Sequence, residues 1–167
     1  DSIINKVAES GLITLDPADF LYRGSIEAID LKDYLFMELI LKEKDFRDRL
    51  KQTDWEPYRD KVVTLYCSSD AIIPVWAYML LTTYLQGVAK EVVMGDVLSA
   101  KKQLLQKALW AWDIQPYQDK RVVIKGCGDD AIEAFAYTEI TQKLLPVVKS
   151  VMYGEPCSTV PVYKKKA

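Results

Sequence analysis

The chain has 167 residues with 22 basic and 24 acidic side chains, a net charge of -2, and half of its residues are hydrophobic. That is enough chain to bury roughly 70% of its unfolded surface without help from a metal or disulfide, and too little charge imbalance to hold nucleic acid or an acidic membrane through bulk electrostatics. It contains no histidine, which excludes Ser-His-Asp and Cys-His hydrolases, zincin motifs and histidine-ligated metals; acid–base work would fall to carboxylates, Lys, Tyr or Cys.

The most apolar stretch, Ala71 to Leu85, is broken by Pro74, Thr82 and Thr83 and is shorter than the ~20 residues of a spanning helix. Nothing reads as a signal peptide, although Asp1 is not an initiator. Three cysteines without a secretory signal favour reduced thiols in a cytoplasmic protein over a disulfide framework.

In chain order, Ser2 to Ser10 reads as a short N-terminal helix, Ile26 to Leu31 as a strand, and Glu38 to Gln52 as mostly helical. From there the chain repeats itself. Shifted by 59 positions, Phe46–Asp96 lies over Leu105–Glu155 without a gap, and Asp54, Pro57, Tyr58, Asp60, Lys61 and Val63 meet Asp113, Pro116, Tyr117, Asp119, Lys120 and Val122. Ala77, Tyr78 and Thr82 meet Ala136, Tyr137 and Thr141; Gly95 meets Gly154. The repeat spans 46–96 and 105–155. Two copies are too few for a solenoid, so both are expected to share one core.

Each copy predicts a Pro-Tyr-x-Asp-Lys turn and a buried strand, Val62 to Tyr66 or Arg121 to Lys125. A helix from about Asp70 to Gly87, or Asp129 to Pro146, follows. A second strand then runs through Val92–Met94 or Val151–Tyr153. Val97 to Trp112 is a helix between the copies. Strands alternating with helices predict a single α/β domain over residues 1–167: three layers, with a mainly parallel sheet and helices on both faces. A two-layer α+β arrangement of the duplicated units is the fallback.

Several strings resemble the bacterial family catalogued as domain of unknown function 2480: Ser10-Gly-Leu-Ile-Thr-Leu-Asp16, Leu41-Lys-Glu-Lys-Asp-Phe-Arg47, Pro74-Val-Trp-Ala-Tyr78, Val122-Val-Ile-Lys-Gly-Cys127, and Gly154-Glu-Pro-Cys-Ser-Thr-Val-Pro161. The resemblance covers nearly the whole chain. It implies no activity that transfers to residues; through gene proximity it implies an association with iron–sulfur assembly.

Cys67, Cys127 and Cys157 each fall just past a predicted strand end, where open parallel sheets build their sites. Gathered at one edge, three thiolates would suit Zn or an iron–sulfur cluster, with Asp70 and Asp129 as further ligands. No CxxC spacing accompanies them, and free Cys is also an ordinary core residue. A single reactive thiol before a helix N-terminus is a third reading, but the loops Cys67-Ser-Ser-Asp70 and Cys127-Gly-Asp-Asp130 are acidic and hold no Arg for an anion. Asp70 and Asp129 read equally as helix N-caps, and Asp60-Lys61 and Asp119-Lys120 as turns. No Gly-rich phosphate loop occurs. Trp55, Trp76, Trp110 and Trp112 carry no basic interleaving and read as core.

The two central helices differ. Thr138, Glu139, Gln142 and Lys143 make one side of the second polar, whereas the matching Met79, Leu80, Thr83 and Tyr84 leave the first apolar nearly all round. Such a face needs cover, from a twofold homodimer or from residues 2–20 of the same chain. The expected function is therefore that of a non-catalytic cytoplasmic interaction or accessory protein, linked to iron–sulfur assembly, with a protein partner or second copy. A thiol-ligated metal protein using the three cysteines is the alternative.

Overall fold

The computed structural model describes residues 11–126, 128–155 and 158–167. These residues form two compact units. The first takes the described chain up to Leu21 and again from Leu104 onward; the second is Tyr22–Gln103, inserted between.

In the second unit β2 (Ile26–Asp30), β3 (Val62–Tyr66) and β4 (Glu91–Met94) form an all-parallel sheet in that order. Helix α1 (Glu43–Gln52) links the first two strands and α2 (Val75–Leu85) the last two. α1 carries Glu43 and Asp45 in its first turn and Arg49 and Lys51 in its last, the distribution that the helix dipole favours. It buries Phe46 and Leu50, one turn apart, in a core with Ile29, Val63, Leu65, Ala77, Leu81 and Leu85.

The first unit repeats this plan with its first strand displaced along the chain. β1 (Leu12–Leu15) pairs in parallel with β5 (Arg121–Ile124), which pairs in parallel with β6 (Ser150–Glu155). Helix α4 (Ala134–Leu144) joins β5 to β6, and β7 (Ser158–Lys164) adds an antiparallel edge. The boundary between the units falls within α3 (Val97–Ala111).

The 59-residue offset of the sequence reappears in the fold. β5, α4 and β6 begin 59 residues after β3, α2 and β4. Phe46, Leu50, Val63, Leu65, Ala77, Leu81 and Leu85 are buried, and so are Leu105, Leu109, Val122, Ile124, Ala136, Ile140 and Leu144 at the matching positions. The first strands match at a different offset. Asp16 directly follows β1 and Asp30 ends β2, and each accepts a hydrogen bond from the backbone N–H two residues on, capping short 3-10 turns at Pro17–Phe20 and Leu31–Tyr34. Asp60 and Asp119, read as turn residues, both hold left-handed φ, +60° and +59°.

Several expectations change. The strands build two sheets, not one: each unit closes its own core, because β1 and β2 feed separate parallel ladders. The central helices begin five residues later than expected, at Val75 and Ala134, after Pro74 and Glu133. Pro74 clashes with helical conformation at the residue before it, so no helix runs through from Asp70. Of the stretch read as helical from Glu38, only Glu43–Gln52 is α-helix. Strand β7 escaped the sequence reading, since Pro161 argues against a strand and is tolerated only at an edge. Trp110 is 65% exposed and not core. The helix read over Ser2 to Ser10 lies outside the described residues. No helix among the described residues is long and apolar enough to cross a membrane.

Candidate functional site

The carboxyl ends of β2 and β3 carry the one cysteine that the structure describes. Asp30 ends β2, and its carboxylate binds the loop after β3: the Ser68 amide donates to Oδ1 at 3.1 Å and the Ser68 hydroxyl to Oδ2 at 2.5 Å, while the Lys32 amide donates to Oδ1 at 2.9 Å. Partial burial raises the Asp30 carboxyl, but the bonds from Ser68 and Lys32 outweigh it and hold it below the usual carboxylate range. The half-buried Cys67 thiol lies 3.3 Å from the Ser69 hydroxyl. Burial first, then its neighbours Cys67 and Asp30, push the Tyr78 phenol up.

The matching corner of the first unit uses other chemistry. Lys125 stands 3.7 Å from Asp16, the Tyr137 hydroxyl donates to the Lys125 carbonyl at 3.1 Å, and the Tyr153 hydroxyl donates to the Gly126 carbonyl at 3.3 Å. Nearby on α4, a cavity of about 420 Å³ is lined by Tyr137, Thr138, Thr141, Gln142, Leu145 and Val162, with no carboxylate, amine or thiol.

Of the residues expected to form a thiol site, Cys67 stands where expected, just beyond the end of β3. Cys127 and Cys157 lie outside the described residues. Asp70 and Asp129 are exposed, and neither caps a helix: the caps are Pro74 and Glu133, without side-chain bonds. No group of three acidic or thiol side chains that could hold a metal occurs among the described residues. The sequence does not single out Asp30, which organises the corner; an Asp near the end of a predicted strand is the available signal.

The folded Asp30 titrates below its unfolded value, so its contribution to stability is present above about pH 4 and is lost as pH falls through the folded pKa. Asp30→Asn is therefore expected to lower stability at pH 6 and to match the parent near pH 2. Urea midpoints over that range check this, and a difference independent of pH would contradict it.

The other feature was wholly unforeseen. Between the 3-10 turn at Leu31–Tyr34 and α1, Phe36-Met37-Glu38-Leu39-Ile40 forms a tight reversal. The Phe36 amide donates to the Ile40 carbonyl at 2.8 Å and the Ile40 amide to the Phe36 carbonyl at 3.1 Å, closing an antiparallel bridge. Met37 and Glu38 hold φ of +51° and +62°, two consecutive left-handed residues, a pattern for which Asn-Gly is the favoured sequence. Four large apolar side chains stand in solvent here: Phe36 51%, Met37 75%, Leu39 57% and Ile40 56% exposed. The Lys42 ammonium lies over the Phe36 ring at 3.9 Å. α2 and the loop before it add Ile72, Val75 and Met79 as exposed apolar residues. Met79 and Thr83 are exposed as Thr138 and Gln142 are at the matching positions of α4, so both helices turn corresponding faces outward.

Two units with mostly parallel sheets and short connecting helices define a mixed α/β protein, with an exposed apolar reversal at Phe36–Ile40. The chain belongs to the family described as Protein of unknown function (DUF2480), whose model matches residues 1–165. No curated protein and no solved structure matches it.

Proposed function

We propose that this chain is a non-catalytic interaction protein, made of two units that arose by internal duplication and specialised apart. Matched burial at seven pairs of core positions supports the duplication. The reading of function rests on one observation, the apolar left-handed turn at Phe36–Ile40. A non-glycine residue in the left-handed region costs about 1 kcal/mol or more. Met37 recovers none of it by burial, being the most exposed of the four. Residues that strain the backbone and bury nothing in their own chain are spent on something outside it.

Replacing Met37-Glu38 with Asn-Gly is expected to stabilise the protein by roughly 1–2 kcal/mol, raising the thermal midpoint by a few degrees. A photo-crosslinking amino acid at Met37 in the full chain, expressed in its own cells, is expected to give adducts that one at the exposed Lys51 does not. Equal adducts from both positions, or a less stable Asn-Gly variant, would overturn the reading.

A further inference from the structure

We infer that the Phe36–Ile40 turn enters an apolar pocket on a different protein, and that a basic group of that pocket receives Glu38; the inference rests on the interaction reading above. Within its five residues the turn exposes four large apolar side chains together with the Glu38 carboxylate. At half to three quarters exposed, those side chains present roughly 400 Å², about half of the ~800 Å² per partner that stable interfaces bury. That is too little for a stable dimer of this chain through the turn, and it suits a small contact with a different protein in which a few central side chains dominate binding.

Charge excludes a lipid surface. Between Leu31 and Leu50 five basic residues (Lys32, Lys42, Lys44, Arg47, Arg49) face five acidic ones (Asp33, Glu38, Glu43, Asp45, Asp48), so the segment carries no net attraction to anionic headgroups. Membrane insertion would also carry the Glu38 carboxylate into hydrocarbon, where a charge is strongly disfavoured. In a protein pocket the same carboxylate meets Lys or Arg, and a fully desolvated pair gives register and selectivity. The Lys42 ammonium on the Phe36 ring keeps a cation at the base of the turn, so the surface alternates apolar, acidic and basic groups over a few residues. A complementary protein surface can match that pattern; a bilayer cannot.

The test places a photo-crosslinker at Leu39 in the full chain, with Glu38 as Glu, Gln or Lys, and sequences the adducted segment by mass spectrometry. A segment of another protein carrying Lys or Arg among apolar residues is expected, with its yield falling at least tenfold in Glu38→Lys and unchanged in Met79→Glu. Adducts of the chain with itself would overturn the proposal, as would flotation with phosphatidylglycerol vesicles that Asn-Gly at Met37-Glu38 abolishes. A foreign segment whose yield ignores Glu38→Gln and Glu38→Lys would overturn the charge pairing and leave the interaction reading standing. Absence of any adduct from both Met37 and Leu39 would overturn both.

Discussion

Gly154→Ala is expected to lower the thermal midpoint by roughly 10 °C, the counterpart of about 3–4 kcal/mol in a chain of this length. Gly154 lies in β6 with φ +121°, a region that side chains rarely enter. A Cβ there would stand 2.5 Å from the Ser158 carbonyl oxygen on β7. That contact is with backbone held in the β6–β7 ladder, so relief requires the two strands to separate. Gly87→Ala separates the two contributions: its φ is +82° but nothing lies within 4 Å of the added atom, so only about 1 kcal/mol of backbone cost is expected. Equal losses at the two positions in thermal unfolding would show that the contact with Ser158 contributes nothing.

Lys143→Met is expected to cost about 2–3 kcal/mol, read as a lower urea midpoint with an unchanged slope. The Lys143 ammonium donates to the carbonyls of Leu109, Trp110 and Trp112 at 2.6, 3.1 and 2.7 Å. Those carbonyls lie at the C-terminal end of α3, where the helix dipole favours a cation. Met keeps most of the aliphatic stem and removes the donors. Hydrogen exchange at the last turn of α3 is expected to quicken more than exchange in β5. A loss below about 0.5 kcal/mol would mean that water serves those carbonyls equally well.

Lys143 also shows how the two units differ at matching positions. From sequence it belonged to the polar, water-facing side of its helix; in the fold it reaches back to close another helix. Tyr84, at the matching position, instead stacks on Trp55 with ring centroids 5.4 Å apart, and the Trp55 indole N–H donates to the Leu50 carbonyl near the end of α1. An ammonium and an aromatic pair serve the same helix end. Periodicity marks both positions as lying on one face, but it carries no information about which element folds back within reach.

The alternation of strands and helices, the parallel pairing and the 59-residue correspondence were all determined by the sequence, because they follow from local β-branched runs, turn residues and identities in one ungapped frame. The late start of α2 was present there too, in Pro74. Tertiary structure alone decided that the strands divide into two sheets: β1 and β2 are short apolar runs of the same kind, and only their hydrogen-bonded neighbours, β5 and β3, assign them to different cores. It also decided the turn at Phe36–Ile40. Leu35 to Leu41 is an apolar run interrupted only by Glu38, with no Gly, Pro or Asn to signal a reversal, and from Glu38 onward it reads as the start of a helix. Between β2 with its 3-10 turn and α1, Met37 and Glu38 take left-handed φ against local preference. A backbone state that runs against local propensity leaves no mark in the residues that bear it.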